Sequence, residues 1–383
     1  MEIKSGLDQV DAGNYLSIFM GARVGLLTGP SGISASLVSS IDILKKRCNL
    51  TALFGAEHGI RGDVAAGGTV ETYSDPRTGL QVYSLYDKTR IPKPEMLRDI
   101  DIMAIDIQDI GCRYFTYISC MKGVMEACAK AGKKVVVLDR SNPINGLSVE
   151  GNIPEQNLLS YVGAMAIPNR HGMTIGELAL FLNGEQGINC ELDVIPAAGW
   201  NREKYADETG FLWVSPSPNI TCLATAIVYP GTCLFEGTTI SEGRGTTKPF
   251  EYIGAPWLDA EDLAEELNRL KMPGVLFRPV YFKPYTSKHA GLLCKGVQLH
   301  ITDKLALHPV CVGVEMLKVI AARSGDKFEW IKSEEEKGSF FIDLLAGTEI
   351  LRKYEWDKYI EDCKRGAESF KHLRTKYLIY QQD

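Results

Sequence analysis

The chain has 383 residues, of which 45% are hydrophobic and 23% are charged, close to the average for soluble globular proteins. This composition excludes a disordered, collagen-like or coiled-coil chain, and the length is enough for two domains with sizeable cores. The net charge of -6 argues against nucleic acid or an anionic membrane as the main partner. No apolar stretch approaches the roughly 20 residues of a membrane helix, so we expect no membrane partner.

The first residues and the cysteines bear on the compartment. The stretch from Met1 to Gly6 has no basic segment followed by an apolar one, so we expect a cytoplasmic protein, or an exported one if a signal was trimmed. The ten cysteines form no Cys-x-x-Cys pair and often lie in apolar runs, which indicates buried free thiols in a reducing compartment. The sequence does not indicate an oligomeric state.

Several common motifs are missing from the sequence. It contains no phosphate-binding loop, no dinucleotide fingerprint, no nucleophile elbow and no zinc-protease motif. The six histidines are far apart, so no local spacing suggests metal ligands. We therefore expect neither a cofactor nor a metal.

The first half of the chain alternates β-type runs with helical periodicity. The predicted strands are at 22–28, 51–55, 101–107 and 134–139. Helices are predicted at 35–47 and 116–131. Strands separated by helices at this spacing form right-handed crossovers and a parallel sheet. The pattern predicts a Rossmann-like α/β domain.

The character of the sequence changes from about residue 236. A polar stretch rich in Gly and Thr precedes further predicted elements, which are a helix at 259–270, β-type runs at 275–282 and 296–302, and helices at 310–322 and 357–374. The predicted fold class is thus α/β, a Rossmann-like parallel sheet domain with a smaller C-terminal α+β domain. We expect residues 1–249 to form the Rossmann-like domain and residues 250–383 to form the smaller one.

Polar residues follow three of the predicted strands, at the edge where open α/β sheets bind ligands. Glu57 and His58 follow the second strand, Gln108 and Asp109 the third, and Asn142 the fourth. Glycines around Glu57 allow a ligand to approach closely, and partial desolvation there would suit this residue to protonate a leaving group. The alternatives are an ordinary surface pair for Glu57 and a helix N-cap for Asp109.

Two later segments also carry residues suited to ligand contact. Prolines hold residues 215–219, Ser-Pro-Ser-Pro-Asn, out of a helix, which is typical of a ligand-facing loop or of a stiff connection. Between residues 229 and 250, acids, an arginine and hydroxyls lie among glycines, a composition that favours an irregular functional segment over a regular helix or strand. Aromatic residues such as Tyr117 can stack on sugars, although each alone is more typical of a core.

Together these segments resemble the bacterial exo-β-N-acetylmuramidase family. The matching motifs occur at 53–63, 78–86, 106–117, 138–143, 170–178, 215–219 and 236–250. The resemblance extends from about residue 20 to Tyr380, with Ala56 where the family often has Pro and Lys248 where it often has Arg. It implies release of N-acetylmuramic acid from the non-reducing end of peptidoglycan fragments, in a cleft between a Rossmann-like domain and a smaller one.

The resemblance also implies roles for individual residues. The Glu of the family's Glu-His-Gly motif is the favoured catalytic acid, and it matches Glu57. Asp109 and Glu242 are the candidates for a second catalytic carboxylate, unless the acetamido group of the substrate takes that part. The predicted substrate contacts are His58, Arg61, Gln108, Arg113, Tyr117, Asn142, His171, Ser217, Asn219 and Arg244.

N-acetylmuramic acid carries a lactyl carboxylate, which an arginine can bind at two points. Among the arginines of the motifs, we favour Arg244 for this role. We expect Glu57, Asp109, Asn142 and the 236–248 segment to converge on one cleft that binds a small muropeptide or disaccharide. The alternatives are a non-catalytic muropeptide-binding or sensing protein, and a hydrolase of another bond such as an amide.

Overall fold

The computed structural model describes residues 3–57, 59–62, 72–85, 90–334, 336 and 338–380. Within these residues the chain forms a seven-stranded sheet and a three-stranded sheet, with helices packed around both. The predicted α/β class with a second, smaller sheet region is confirmed. In this described part of the chain, no helix is long and apolar enough to cross a lipid bilayer.

The large sheet carries the first half of the chain. Its strands are β1 (Arg23–Thr28), β2 (Asn49–Gly55), β3 (Tyr73–Ser74), β4 (Gln81–Ser84), β5 (Ile102–Asp106), β6 (Lys134–Leu138) and β7 (Leu192–Ile195). They are arranged in the order β3-β4-β2-β1-β5-β6-β7. All neighbours pair in parallel except β3 and β4. Every residue of β5 is buried, as expected for a sheet that is covered on both faces.

Helices connect and cover these strands. They are α1 (Gly6–Asp11), α2 (Ser40–Arg47), α3 (Tyr117–Lys130) and α4 (Ile175–Glu185). The predicted start of α2 at residue 35 is wrong, because Leu37 has a left-handed φ of 62° and Ser39 caps the helix by accepting a hydrogen bond from Ile41. Neither α4 nor β7 is predicted from the sequence. Most of α4 is buried, so its residues lack the alternation of polar and apolar faces that reveals a helix.

The second half builds the smaller sheet and its helices. The elements are α5 (Leu223–Thr232), β8 (Tyr252–Ala255), α6 (Ala260–Arg269), β9 (Val275–Phe282), β10 (Cys294–Ile301), α7 (Pro309–Ser324), α8 (Phe341–Ala346) and α9 (Trp356–Arg374). Strand β10 lies between β8 and β9 and is antiparallel to both. The helices and strands predicted after residue 250 are confirmed.

The start of the glycine-rich segment is a correction to the sequence prediction. Residues 229–232 are the last turn of α5 and not an irregular segment. Gly231 is needed there for packing, because a Cβ atom at this position would collide with the carbonyl of Pro309 at the start of α7. A Cβ atom at Gly313 of α7 would in turn collide with the backbone of Gly231. These glycines let two helices cross at short range and do not serve a flexible loop.

Contacts between the two halves are extensive. The last long helix, α9, ends at Arg374, whose Nη1 donates to the carbonyl oxygens of Gly146, His171 and Gly172 in the first half. In the opposite direction, Arg113 donates to the carbonyl oxygen of Leu345 at 2.8 Å. The predicted boundary at residue 250 falls just before β8. It remains a prediction, since the hydrogen bonds cross it in both directions.

Candidate active site

A cavity of about 570 Å³ lies at the carboxyl edge of the large sheet. The end of β2 and the start of α3 form one wall, and the 217–220 and 236–250 segments contribute to the others. Residues 331–334, 336, 341 and 344 also contribute to these walls. Five of the predicted site residues line it, namely Glu57, Tyr117, Ser217, Asn219 and Arg244. The cavity thus unites residues from four separate motifs of the sequence.

Glu57 is half-buried and stands two positions after the end of β2. Its Oε2 accepts a hydrogen bond from Thr116 Oγ1 at 2.9 Å. The Tyr117 hydroxyl lies 3.3 Å from the backbone oxygen of Glu57 and 2.7 Å from that of Pro216, so it joins two walls of the cavity. Residues that flank the start of α3 therefore fix both the backbone and the carboxyl group of Glu57.

Arg244 contacts the carboxylate of Glu236, which is not among the predicted site residues. Its Nε donates to Glu236 Oε1 at 2.5 Å, and Glu236 also lines the cavity. The guanidinium carbon lies 5.0 Å from the centre of the Phe250 ring, a cation–π arrangement. Among the described residues, Nη1 and Nη2 of Arg244 have no hydrogen-bond partner. These two terminal nitrogens of the guanidinium group, the free fork of Arg244, are therefore available to a ligand.

Glu242 is only 2% exposed and is not among the residues that line the cavity. Its Oε2 lies 2.8 Å from Lys288 Nζ, and its Oε1 lies 3.6 Å from Arg244 Nε. Burial raises the pKa of this carboxyl, but the charges of Lys288 and Arg244 outweigh burial and hold the pKa below its usual value. Glu242 is thus an ionised group that faces two cations inside the protein.

Asp109 and His171 form a buried pair beside α3. Asp109 Oδ2 accepts a hydrogen bond from the backbone of Gly111 at 2.6 Å and lies 3.1 Å from His171 Nε2. His171 Nδ1 accepts from the backbone N–H of Met173, so the ring proton belongs on Nε2, facing Asp109. The N-cap alternative for Asp109 is wrong, because this residue closes a turn and α3 begins only at Tyr117.

Gln108 and Asn142 also have partners away from the cavity. Gln108 donates to the carbonyl oxygens of Asp109 and Ser141, and it lines a separate cavity of about 70 Å³. Asn142 is buried, donates to the carbonyl of Met173 and accepts from the backbone of Ile144. Of the three residues expected to converge, Glu57 lines the large cavity, whereas Asp109 and Asn142 do not.

Two predicted arginines are engaged within the protein. Arg61 binds both oxygens of Asp75 at 2.9 Å. Arg113 is 2% exposed and donates to three carbonyl oxygens at 2.7–2.8 Å, those of Asn152, Ile167 and Leu345. The prediction for His58 lies outside the described residues. Within the part that is described, no group of three or more His, Cys, Asp or Glu residues is placed to hold a metal.

Two charged residues near the cavity were missed for different reasons. Glu236 belongs to the same glycine-rich motif as Glu242, and only the folded backbone shows which of them reaches the cavity. Lys288 also lines the cavity, but it comes from the connection between β9 and β10 and carries no local sequence signal. Both residues can be recognised as site residues only in the folded chain, where they line the cavity.

The fold and the cavity define a class of protein. It is a two-part α/β protein whose polar cavity, with aromatic walls, offers one carboxyl group fixed at a strand end and one arginine with a free fork. Such a site suits a small, polar, anionic ligand.

Comparisons with known proteins identify the family. The N-terminal and C-terminal models described as exo-beta-N-acetylmuramidase NamZ match residues 24–224 and 227–380. The chain is 45% identical to the peptidoglycan beta-N-acetylmuramidase NamZ of Bacillus subtilis, over 99% of this chain and 92% of that protein. The chain belongs to the exo-β-N-acetylmuramidase family.

Solved structures agree with this assignment. A DUF1343 family protein of Bacteroides fragilis is 40% identical, with a TM-score of 0.91 and 99% of each chain covered. A second DUF1343 family protein of the same organism is 31% identical, with a TM-score of 0.79 and both chains covered in full. The two-sheet architecture is therefore shared along the whole length of these relatives.

Proposed function

We propose that this chain is an exo-β-N-acetylmuramidase that hydrolyses the glycosidic bond of a terminal, non-reducing N-acetylmuramic acid in peptidoglycan fragments. The observation that carries the proposal is that Glu57 and Arg244 line the same cavity. One supplies a carboxyl group for proton transfer and the other a cation for the lactyl carboxylate. Membership of the family supports the same reaction.

In this proposal Glu57 is the general acid. The departing sugar oxygen needs a proton, and a carboxyl group within hydrogen-bond reach can donate it. The hydrogen bond from Thr116 to Oε2 orients the carboxyl group, and the Tyr117 hydroxyl fixes the backbone behind it. This support from the start of α3 holds Glu57 at the cavity wall before substrate arrives.

The second carboxylate is the less defined part of the mechanism. Asp109 and Glu242 are the candidates from the sequence, but both are buried, neither lines the cavity, and each already has a charged or ring partner within the protein. Glu236 lines the cavity, so we favour it as the carboxylate that activates water or stabilises the developing positive charge. The acetamido group of the substrate is the other route, and it needs no protein nucleophile.

Arg244 selects the substrate in this proposal. Arg244 Nε donates to Glu236 at 2.5 Å, which leaves Nη1 and Nη2 to donate to a carboxylate at two points. N-acetylglucosamine lacks the lactyl group and so cannot use this contact. The expected ligand is therefore a muropeptide or disaccharide with muramic acid at its end.

The cysteines bear on the compartment in which we propose that the enzyme acts. All ten cysteines are free, and seven of them are buried. Buried free thiols support the reducing, cytoplasmic location expected from the sequence. There the enzyme would act on released wall fragments.

The test compares three outcomes on the purified chain. A chromogenic N-acetylmuramic acid glycoside should be cleaved, and its N-acetylglucosamine counterpart should be cleaved far more slowly. A binding or sensing protein would bind the muramic acid disaccharide in calorimetry but release no product. An amide hydrolase would free peptide from muropeptides and leave the sugars joined, which mass spectrometry would detect.

A further inference from the structure

Lys288 lies in a connection between two strands of the smaller sheet, but it binds residues of the 235–242 segment beside the cavity. It lies between β9 and β10, 46 residues after Glu242. Its Nζ donates to the carbonyl oxygens of Phe235 at 2.8 Å and Ile240 at 3.1 Å, and to Glu242 Oε2 at 2.8 Å. The carbonyl oxygen of Glu236 lies 3.3 Å away. An ammonium group has three N–H donors, so this one is fully engaged.

These contacts decide which anions surround Arg244. Glu242 is buried and ionised, and an ionised carboxylate in the interior requires cations. Lys288 lies 2.8 Å from its Oε2, whereas Arg244 Nε lies 3.6 Å from its Oε1. Lys288 is therefore the nearer of the two partners. Without it, the only other cation facing Glu242 in the described structure would be Arg244.

We propose that Lys288 is a positioning residue for substrate recognition: it neutralises Glu242 and fixes the 235–240 backbone, so that the fork of Arg244 faces the cavity rather than Glu242. This inference rests on the proposed function, in which Arg244 binds the lactyl carboxylate. Lys288 itself need not touch the substrate. Its contribution is to prevent an internal carboxylate from competing with the substrate carboxylate for the same guanidinium group.

The first experiment is Lys288→Met, which keeps the length of the side chain and removes its charge. We expect the KM for the muramic acid disaccharide to rise about tenfold while kcat changes less than about threefold, as expected for lost substrate binding. The matched control is Lys283→Met, an exposed lysine in the same β9–β10 connection, which should change neither constant. An unchanged KM in Lys288→Met would overturn the inference.

A second experiment separates positioning from a general loss of structure. In the double variant Lys288→Met/Glu242→Gln the competing charge is gone, so KM should return to within about threefold of the wild-type value. A lysine that merely tied backbone segments together would not be rescued by neutralising Glu242. If Lys288→Met fails to fold, Lys288→Gln removes the same charge and keeps a donor, and it should show the same rescue by Glu242→Gln. Failure of the rescue in a folded protein would contradict the proposal.

The third experiment distinguishes failure of this inference from failure of the proposed function. Arg244→Lys and Lys288→Met should each weaken substrate binding, but their effects should not multiply, because both act through one guanidinium group. If Arg244→Lys has no effect, the proposed role of Arg244 fails together with this inference. If Arg244→Lys weakens binding and the two effects multiply, only the role assigned to Lys288 is lost.

Discussion

Two regions at the carboxyl edge of the large sheet are both rich in charged residues, yet they differ in how those charges are used. In the buried region, Arg113 gives its terminal nitrogens to three backbone carbonyl oxygens, and Asp109 faces His171. In the cavity, Arg244 is held at Nε alone and keeps the end of its fork free. An arginine whose terminal nitrogens are both bound within the protein thus stabilises the fold, whereas one with free terminal nitrogens can contact a ligand.

The largest expected effect concerns the cavity side of this comparison. Glu57→Gln keeps the shape of the side chain and removes its proton, so kcat on the natural disaccharide should fall by about 10²–10⁴-fold, the range for a lost general acid. An aryl glycoside with a good leaving group needs less protonation and should lose less rate.

Steady-state kinetics on both substrates measure the difference. Glu265→Gln, an exposed residue of α6, is the control and should behave as wild type. A Glu57→Gln variant that cleaves the disaccharide at the wild-type rate would show that another group is the acid, and Glu236 would be the next candidate.

The buried side of the comparison should affect stability instead. Arg113→Met leaves three carbonyl oxygens without their donor, so the free energy of unfolding should fall by about 3 kcal/mol or more. The kcat/KM of the protein that remains folded should stay close to wild type. Denaturant unfolding and kinetics on the same samples measure both, with the exposed Arg365→Met as control. Specific loss of activity without loss of stability would place Arg113 in the site.

A smaller effect tests the free fork. Arg244→Lys keeps the charge but loses bidentate geometry, so kcat/KM for muramic acid substrates should fall by about tenfold, which corresponds to about 1.4 kcal/mol. Arg269→Lys makes the same change at an exposed ion pair on α6 and should leave kcat/KM unaltered. Equal values for wild type and Arg244→Lys would remove Arg244 from substrate recognition.

The smallest effect is a pH dependence at Asp139, a buried residue that directly follows β6. Burial raises the pKa of Asp139 to about 6, against the hydrogen bond that Tyr380 donates to its Oδ2 at 2.5 Å. The folded state therefore binds this proton more tightly than the unfolded chain does, and the contribution of Asp139 to stability falls as pH rises through about 6. The Tyr380 hydrogen bond favours the ionised form and offsets part of that loss.

Tyr380→Phe should accordingly destabilise the protein more when Asp139 is ionised. We expect the loss of unfolding free energy to be about 1 kcal/mol larger near pH 7.5 than near pH 4.5, because hydrogen bonds to charged groups are the stronger ones. Denaturant unfolding of both proteins at the two pH values measures it. An equal loss at both would mean that Asp139 does not change protonation between them.

The sequence was sufficient for the elements whose signal is local. The continuous apolar runs of β1, β5 and β6 predict buried parallel strands, and the structure confirms them. Strand β7 is only four residues long and only Ile195 in it is buried. Neither its length nor its pattern of apolar residues therefore predicts a strand. The end of α5, residues 229–232, is predicted to be irregular because proline and glycine are unfavourable in isolated helices, and packing against α7 overrides that preference.

Where a motif directly follows a recognisable strand, the sequence predicts which edge of the sheet carries its residues. Glu57 could be placed at the edge of the sheet because it follows a buried strand directly. Depth could not be predicted: Asp109 follows β5 in the same way, but its chain turns inward and its carboxylate is buried. The pairing of Glu242 with Lys288 joins residues from different parts of the chain, and sequence patterns over a few residues cannot reveal it.

The hydrogen bonds of Arg374 have a consequence for how the protein is made. During synthesis this arginine leaves the ribosome long after Gly172, since 202 positions separate them. The carbonyl oxygens of Gly146, His171 and Gly172 therefore emerge well before the guanidinium group that satisfies them in the finished molecule. Within the protein, these three carbonyl oxygens gain the donor Arg374 only when α9 docks, even though separate family models match the two halves.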